Sequence, residues 1–208
     1  GMGVHYTSVP NIMKVIKPLF LDELTEEYAR IKDDVKKLRT LLIRLGKIKF
    51  FDPACGSGNF LIIAYKAIRE LEIEIWERIK TLQGGQSEFP FSNITLQQFY
   101  GIEIDEYACD TATLSLWLAE HQMNNKFYER LGTRPDALPL RPSGHIVCGN
   151  ACRLDWNTVC PHTADDEVYV MGNPPYLGSS KLDKEQQEDR TIAIGEYQNY
   201  KKIDYIGI

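Results

Sequence analysis

The chain lacks any apolar run long enough to cross a bilayer, and no signal-peptide pattern opens it. A helix-spanning or secreted protein is thereby disfavoured, and a cytoplasmic location is expected. Basic charge is also scarce. The 24 Lys and Arg against 29 Asp and Glu leave a net charge of −5, with a pI near 5.5. Composition therefore carries no nucleic-acid signature, although an acidic average leaves room for a basic face. The five cysteines are odd in number and form no disulfide framework, which fits a reducing compartment. Cys148, Cys152, Cys160 and His162 crowd together without the two-residue knuckle of a zinc site, so no metal is expected. There is no Gly-Lys-Ser/Thr phosphate loop, no internal repeat and no low-complexity segment.

What is present is material for one sizeable core, since 43% of the 208 residues are hydrophobic. Gly1 before Met2 reads as the scar of a cleaved tag and stays outside the fold argument. Over residues 11–20 apolar side chains recur at helical spacing (Ile12, Val15, Ile16, Leu19). A second helix is expected to start near Thr25, with its hydroxyl as cap and Glu26 and Glu27 in the first turn, and to run through the charged stretch 30–39. That stretch reads as a solvated face rather than a DNA patch, because Asp33 and Asp34 interrupt its basic residues. Gly46 closes the helical region.

Residues 47–54 then read as a buried strand and 60–82 as a helix with Phe60, Ile63, Ala64, Ala67 and Leu71 on one face. A loop covers 83–93, a strand 99–104, a helix 106–123 and a Pro- and Arg-containing connection 124–143. Short strands follow at 145–148 and 168–171. Strands alternating with helices imply an α/β fold, a parallel sheet with crossover helices. The expected division is a helical lead-in, 1–45, and a sheet-bearing core, 46–208.

Two motifs carry chemistry. Asp52-Pro-Ala-Cys-Gly-Ser-Gly-Asn-Phe60 runs from a strand end through a glycine turn into a helix, and Gly56 and Gly58 let backbone approach a ligand closely. The next strand ends in Gly101-Ile-Glu-Ile-Asp105, so Glu103 can accept ribose hydroxyls and Ile104 can lie against an adenine face. The missing third glycine and the distance to Glu103 disfavour a dinucleotide. A nucleoside without phosphates fits better, and S-adenosylmethionine is the common one for this layout. The alternative for Glu103 is a helix-starting carboxylate.

The second motif, Asn173-Pro174-Pro175-Tyr176, follows the last short strand. The prolines fix the backbone and leave neighbouring carbonyls as free acceptors. The Asn173 oxygen and the Pro174 carbonyl can accept the two N–H bonds of an exocyclic amino group, aiming its lone pair at an electrophilic methyl. Tyr176 can stack on a base that has left its duplex. The alternative is an ordinary Asn-Pro-Pro turn.

With both motifs in this order, the chain resembles the S-adenosylmethionine-dependent DNA adenine-N6 methyltransferases of gamma-type motif order. It is most similar to the MmeI-like restriction–modification enzymes. Val4-His-Tyr-Thr-Ser8 followed by residues 12–24 resembles the family's leading segment, and Tyr65 with Arg69-Glu-Leu-Glu72 follows the glycine motif. The resemblance implies a Rossmann-like methyltransferase sheet preceded by a short helical segment. It implies Thr7 near the methionine carboxylate, and Asp52, Ala54, Gly56 and Gly58 around the methionine moiety. Glu103 would take the ribose and Ile104 the adenine face. Asn150, where many relatives carry Asp, would meet the adenine amino group. The base pocket would be Asn173, Pro174, Pro175 and Tyr176, and the partner double-stranded DNA with a flipped adenine. About four strands stand where the family fold has seven, so an amino-terminal part of the domain is expected, with a target-recognition region elsewhere and the last strand at a sheet edge. Alternatives are a non-catalytic cofactor-binding remnant, a cytosine-N4 enzyme and a protein glutamine-N5 methyltransferase. The last also uses Asn-Pro-Pro-Tyr but carries a different glycine loop and no leading His-Tyr-Thr.

Overall fold

The structure, a computed structural model, describes residues 7–85, 89–135, 145–173 and 182–195. The chain opens with helix α1 (Val9–Ile16), whose first turn holds Pro10 where no donor is needed. It continues without a break through a π-helical turn (Lys17–Leu21) into α2 (Asp22–Ile31). Ile12, Ile16, Phe20 and Leu24 are fully buried at four-residue spacing. On a straight α-helix such a row drifts about 40° with each step. The wider π turn takes up that drift at Pro18, which has no N–H to lose.

Two expectations for this region are corrected. Thr25 is not a helix start: it lies inside α2, and its hydroxyl donates to Leu21 O at 2.7 Å. Nor does one helix run through the charged stretch. The chain breaks at 32–34, and Asp34 caps a new helix, α3 (Val35–Leu45), by accepting from Lys36 N at 3.0 Å and Lys37 N at 3.1 Å. Gly46 closes α3, where a Cβ would stand 2.9 Å from the Asn93 Cβ and carbonyl oxygen.

Four parallel strands follow: β1 (Lys49–Asp52), β2 (Phe99–Glu103), β3 (His145–Cys148) and β4 (Val168–Val170), in spatial order β3-β2-β1-β4. Registers Asp52↔Gly101, Glu103↔Cys148 and Phe51↔Val170 bring all four carboxyl ends to one edge. Among the described residues β4 is an outer strand, and Val170 is half exposed. Helices α4 (Asn59–Leu82) and α5 (Glu106–Leu131) supply the crossovers. The second runs eight residues past its expected end at 123, because Met123, Phe127 and Leu131 continue the buried row.

The main core lies on the face shared by α1–α5. Phe50 stacks on Phe99 with centroids 5.0 Å apart and meets Phe20 edge-on at 5.0 Å, so the helical lead-in and the sheet share one core. Arg44 of α3 reinforces the join with a two-pronged contact to Glu167 just before β4, at 2.9 and 2.7 Å. On the opposite face Phe51, Tyr100, Ile102 and Cys160 form a smaller cluster beneath α6 (Trp156–Val159), whose Trp156 ring packs edge-on against Phe51. The polar stretch after the second motif contains α7 (Lys184–Ile194), started by a capping box between Asp183 and Gln186.

The Arg69-Glu-Leu-Glu72 segment is a buried ion pair. Arg69 Nε lies 3.0 Å from Glu72 Oε2, with both side chains almost fully enclosed. Arg69 also donates to Tyr65 OH and to Asn124 Oδ1 of α5, while Glu72 accepts from Ser92 Oγ and Asn93 N. The pair therefore ties α4 to α5 and to the loop that feeds β2.

Candidate functional site

In strand order β3-β2-β1-β4 the chain reverses direction between β1 and β4. Open α/β sheets bind ligands at such a switch point, outside the carboxyl ends of the strands. The glycine turn leaves β1 at this point. Cys55 N donates to Ile102 O at 2.9 Å and Gly58 N to Cys55 O at 2.8 Å, stitching the turn to β2. Gly56 has φ +53° and a Cβ there would meet nothing within 4 Å, so glycine is needed for backbone conformation alone. Gly58, at φ +84°, precedes α4 and lies against Ala112 of α5, 3.2 Å from where its Cβ would be. Cys55 is buried beneath β2, and burial pushes its thiol far up, which makes it packing rather than a nucleophile.

Glu103 joins the turn directly. Its Oε2 accepts from Gly56 N at 2.8 Å, and its Oε1 from Ile104 N at 2.9 Å and Asp105 N at 3.0 Å. Glycine loop and acidic strand end are thus one hydrogen-bonded unit, and the large apolar side chain of Ile104 stands 58% exposed beside it.

Asp52 is the unusual group. It is 1% exposed, its Oδ1 accepts from Ala54 N at 3.0 Å, and among the described residues no ion pair reaches it. Burial, aided by the neighbouring Glu103 charge and opposed by the Ala54 N–H, pushes its carboxyl up to about 7. Gly172 packs over it: a Cβ at 172 would sit 3.0 Å from Asp52 Cγ and closer still to Oδ1. Beside this carboxylate opens a cleft of about 630 Å³. It lies between Asp52-Pro53-Ala54, the last residues of β4 with Met171 and Gly172, and Val15, Pro18 and Leu19 of the first helix and its π turn.

Asn173 stands exposed at the end of β4, and its Nδ2 donates to Thr7 Oγ1 at 3.1 Å. Two candidates 166 residues apart in sequence thus meet beside the same edge. Pro174, Pro175 and Tyr176 lie outside the described residues. Asn150 follows β3 on the far side of β2. Its Oδ1 accepts from Cys152 N at 2.9 Å and its Nδ2 donates to Asp189 of α7 at 2.7 Å. Asp189, Gly172 and the π-turn wall of the cleft were not singled out from sequence. Only Gly172 had a local signal, as a glycine between a strand and the Asn-Pro-Pro run.

The MmeI DNA-methyltransferase domain family matches residues 28–208. The chain belongs to this family. DNA methyltransferase A of Bacillus subtilis (strain 168) is 55% identical over 207 residues, 99% of this chain and 23% of that protein. The type II restriction enzyme and methyltransferase RM.Eco57I of Escherichia coli is 24% identical over 197 residues, covering 86% of this chain and 19% of that one. A solved structure of the type IIL restriction-modification enzyme MmeI in complex with DNA has the same fold, with a TM-score of 0.86 and 40% identity. That match covers 96% of this chain and 26% of the MmeI chain. The chain therefore spans about a fifth to a quarter of the length of these relatives. The MmeI-type methyltransferase fold expected from the motifs is the fold observed.

Proposed function

We propose that this MmeI-type domain binds S-adenosylmethionine and serves methyl transfer to the exocyclic N6 of adenine in DNA, within a bacterial restriction–modification system. The observation that carries the reading is the convergence of Asp52, Glu103 and the Thr7–Asn173 pair on one carboxyl edge at the switch point. The chemistry of that edge fits the cofactor. A buried carboxylate with a raised pKa, no cationic partner among the described residues and a cleft beside it is suited to a cationic ligand. Bound there, S-adenosylmethionine supplies an electrophilic methyl on a sulfonium.

The chain's own groups have the following roles. Asp52, Ala54, Gly56 and Gly58 would hold the methionine moiety, with Thr7 near its carboxylate. Glu103 would accept from the ribose hydroxyls, Ile104 would cover the adenine and Asn150 would face its amino group. At the target base, the Asn173 Oδ1 and the Pro174 carbonyl would accept the two N6–H bonds. With its Nδ2 donating to Thr7 Oγ1, the Asn173 carboxamide would present its oxygen to the amino group. Tyr176 would stack on the base, which must leave its duplex to reach the pocket. Placement and polarisation then suffice without a strongly basic side chain.

Calorimetric titration with S-adenosylhomocysteine tests the cofactor half. Saturable binding is expected. Glu103→Ala should weaken it at least about tenfold, whereas Asn173→Ala should leave affinity unchanged and abolish methyl incorporation into duplex DNA. Unchanged affinity in Glu103→Ala would overturn the ribose assignment, and no binding by the wild type would overturn the cofactor reading.

A further inference from the structure

Asp189 lies on α7 and is 3% exposed, with its carboxylate turned to the Asn150 turn. Its Oδ2 accepts from Asn150 Nδ2 at 2.7 Å and its Oδ1 from Arg153 Nε at 2.6 Å. The start of α7 is fixed by its capping box and by Gln187 Nε2 donating to Leu182 O, so Asp189 rides on a well-anchored turn.

A carboxamide has one accepting end and one donating end, and its neighbours decide which points where. Asn150 has two such neighbours, and each is able to play only one role. The Asp189 carboxylate accepts, so it takes the nitrogen end. The backbone N–H of Cys152 donates, so it takes the oxygen end at 2.9 Å. Turned over, the side chain would set its oxygen against a carboxylate and its NH2 against an N–H, losing both bonds at once. Both partners therefore enforce the same orientation, and among the described residues the oxygen keeps one lone pair free.

We infer that Asp189 is a positioning residue for the cofactor site: it holds the Asn150 carboxamide with its oxygen available to an exocyclic amino group. It thereby sets the preference for adenine over a purine bearing a carbonyl at that place. The inference rests on Asn150 facing the cofactor's adenine, as proposed above.

The test compares calorimetric affinities of the full chain for S-adenosylhomocysteine and S-inosylhomocysteine, in which a carbonyl replaces the amino group. The wild type should prefer the adenine ligand at least about tenfold. Asp189→Ala should lower that preference severalfold, with the remainder held by Cys152 N. Asp189→Asn combined with Arg153→Ala should keep most of the preference, because the single remaining acceptor then serves Asn150 Nδ2. Arg153→Ala removes the other contact to Asp189 without touching Asn150, and should keep the preference while amide exchange over residues 184–194 quickens. Preference lost in Asn150→Ala but intact in Asp189→Ala would overturn the positioning role. Preference lost equally in Arg153→Ala would also overturn it, reducing Asp189 to a helix anchor. Preference intact in Asn150→Ala would instead overturn the adenine assignment beneath it.

Discussion

Replacing Asp52 by Asn should change how the stability of the chain depends on pH. The carboxyl is 1% exposed, and burial raises its pKa from 3.8 to about 7. Between those values the native protein holds a proton that the unfolded chain has released, so stability falls as pH rises through the window. The proton-linked contribution is fully present below pH 3.8 and lost above about pH 7. A shift of roughly three units at about 1.36 kcal/mol each makes the whole swing about 4 kcal/mol. Asp52→Asn keeps an acceptor for the Ala54 N–H and has no proton to lose. From pH 5 to pH 8 the wild type should therefore lose about 2–3 kcal/mol relative to the variant, read from urea midpoints at constant m value. Parallel pH profiles for the two proteins would refute the argument. The same group links stability to function: a cation in the cleft favours the ionised carboxylate. Binding of S-adenosylmethionine near pH 6 should then release a proton, seen as a calorimetric heat that varies with the buffer's ionisation enthalpy, and Asp52→Asn should remove that dependence.

Arg69→Met should cost about 3–5 kcal/mol in urea unfolding, because it leaves the Glu72 carboxylate buried without its counter-charge. Adding Glu72→Leu should recover only part of this, since Ser92 Oγ and Asn93 N lose their acceptor; strictly additive costs would show that the pair is not coupled. Gly172→Ala should destabilise the fold by about 1–3 kcal/mol, since its Cβ collides with the Asp52 carboxyl; an unchanged melting temperature would show that β4 has room to move.

How much of this was legible follows from how local each signal is. The glycine turn, Glu103 at the end of β2 and Asn173 at the end of β4 were readable because a strand, its end and the next helix are adjacent in sequence. A parallel sheet then brings such ends to one edge. The helix boundaries were misread where a local pattern fits two answers. Thr25 before two glutamates looks like a cap, yet Phe20 and Leu24 already belong to one buried row that passes through it. Asp34 looks like one more charge in a solvated helix, yet its short side chain caps α3. Met123, Phe127 and Leu131 carry α5 through Asn124 and Asn125, residues that favour turns when nothing is packed on them.

The remaining features depend on contacts that span the chain. Asp189 sits in the polar first two turns of a helix whose apolar residues, Ile192, Ala193 and Ile194, are confined to its end, so nothing nearby marks it as buried. Its role appears only when α7 meets the Asn150 turn 39 residues earlier. The Thr7–Asn173 bond closes a still longer gap. Sequence motifs thus announce the groups that face a ligand, because chemistry constrains their residue types. The groups that aim them are free to come from any segment that folding brings alongside. Asp189 belongs to that second class: its carboxylate only accepts, so it takes the nitrogen end of Asn150 and leaves the oxygen end to Cys152 N and a ligand. An oriented carboxamide oxygen is a neutral acceptor for an exocyclic amino group, and it adds no further charge to an edge that already carries Asp52 and Glu103.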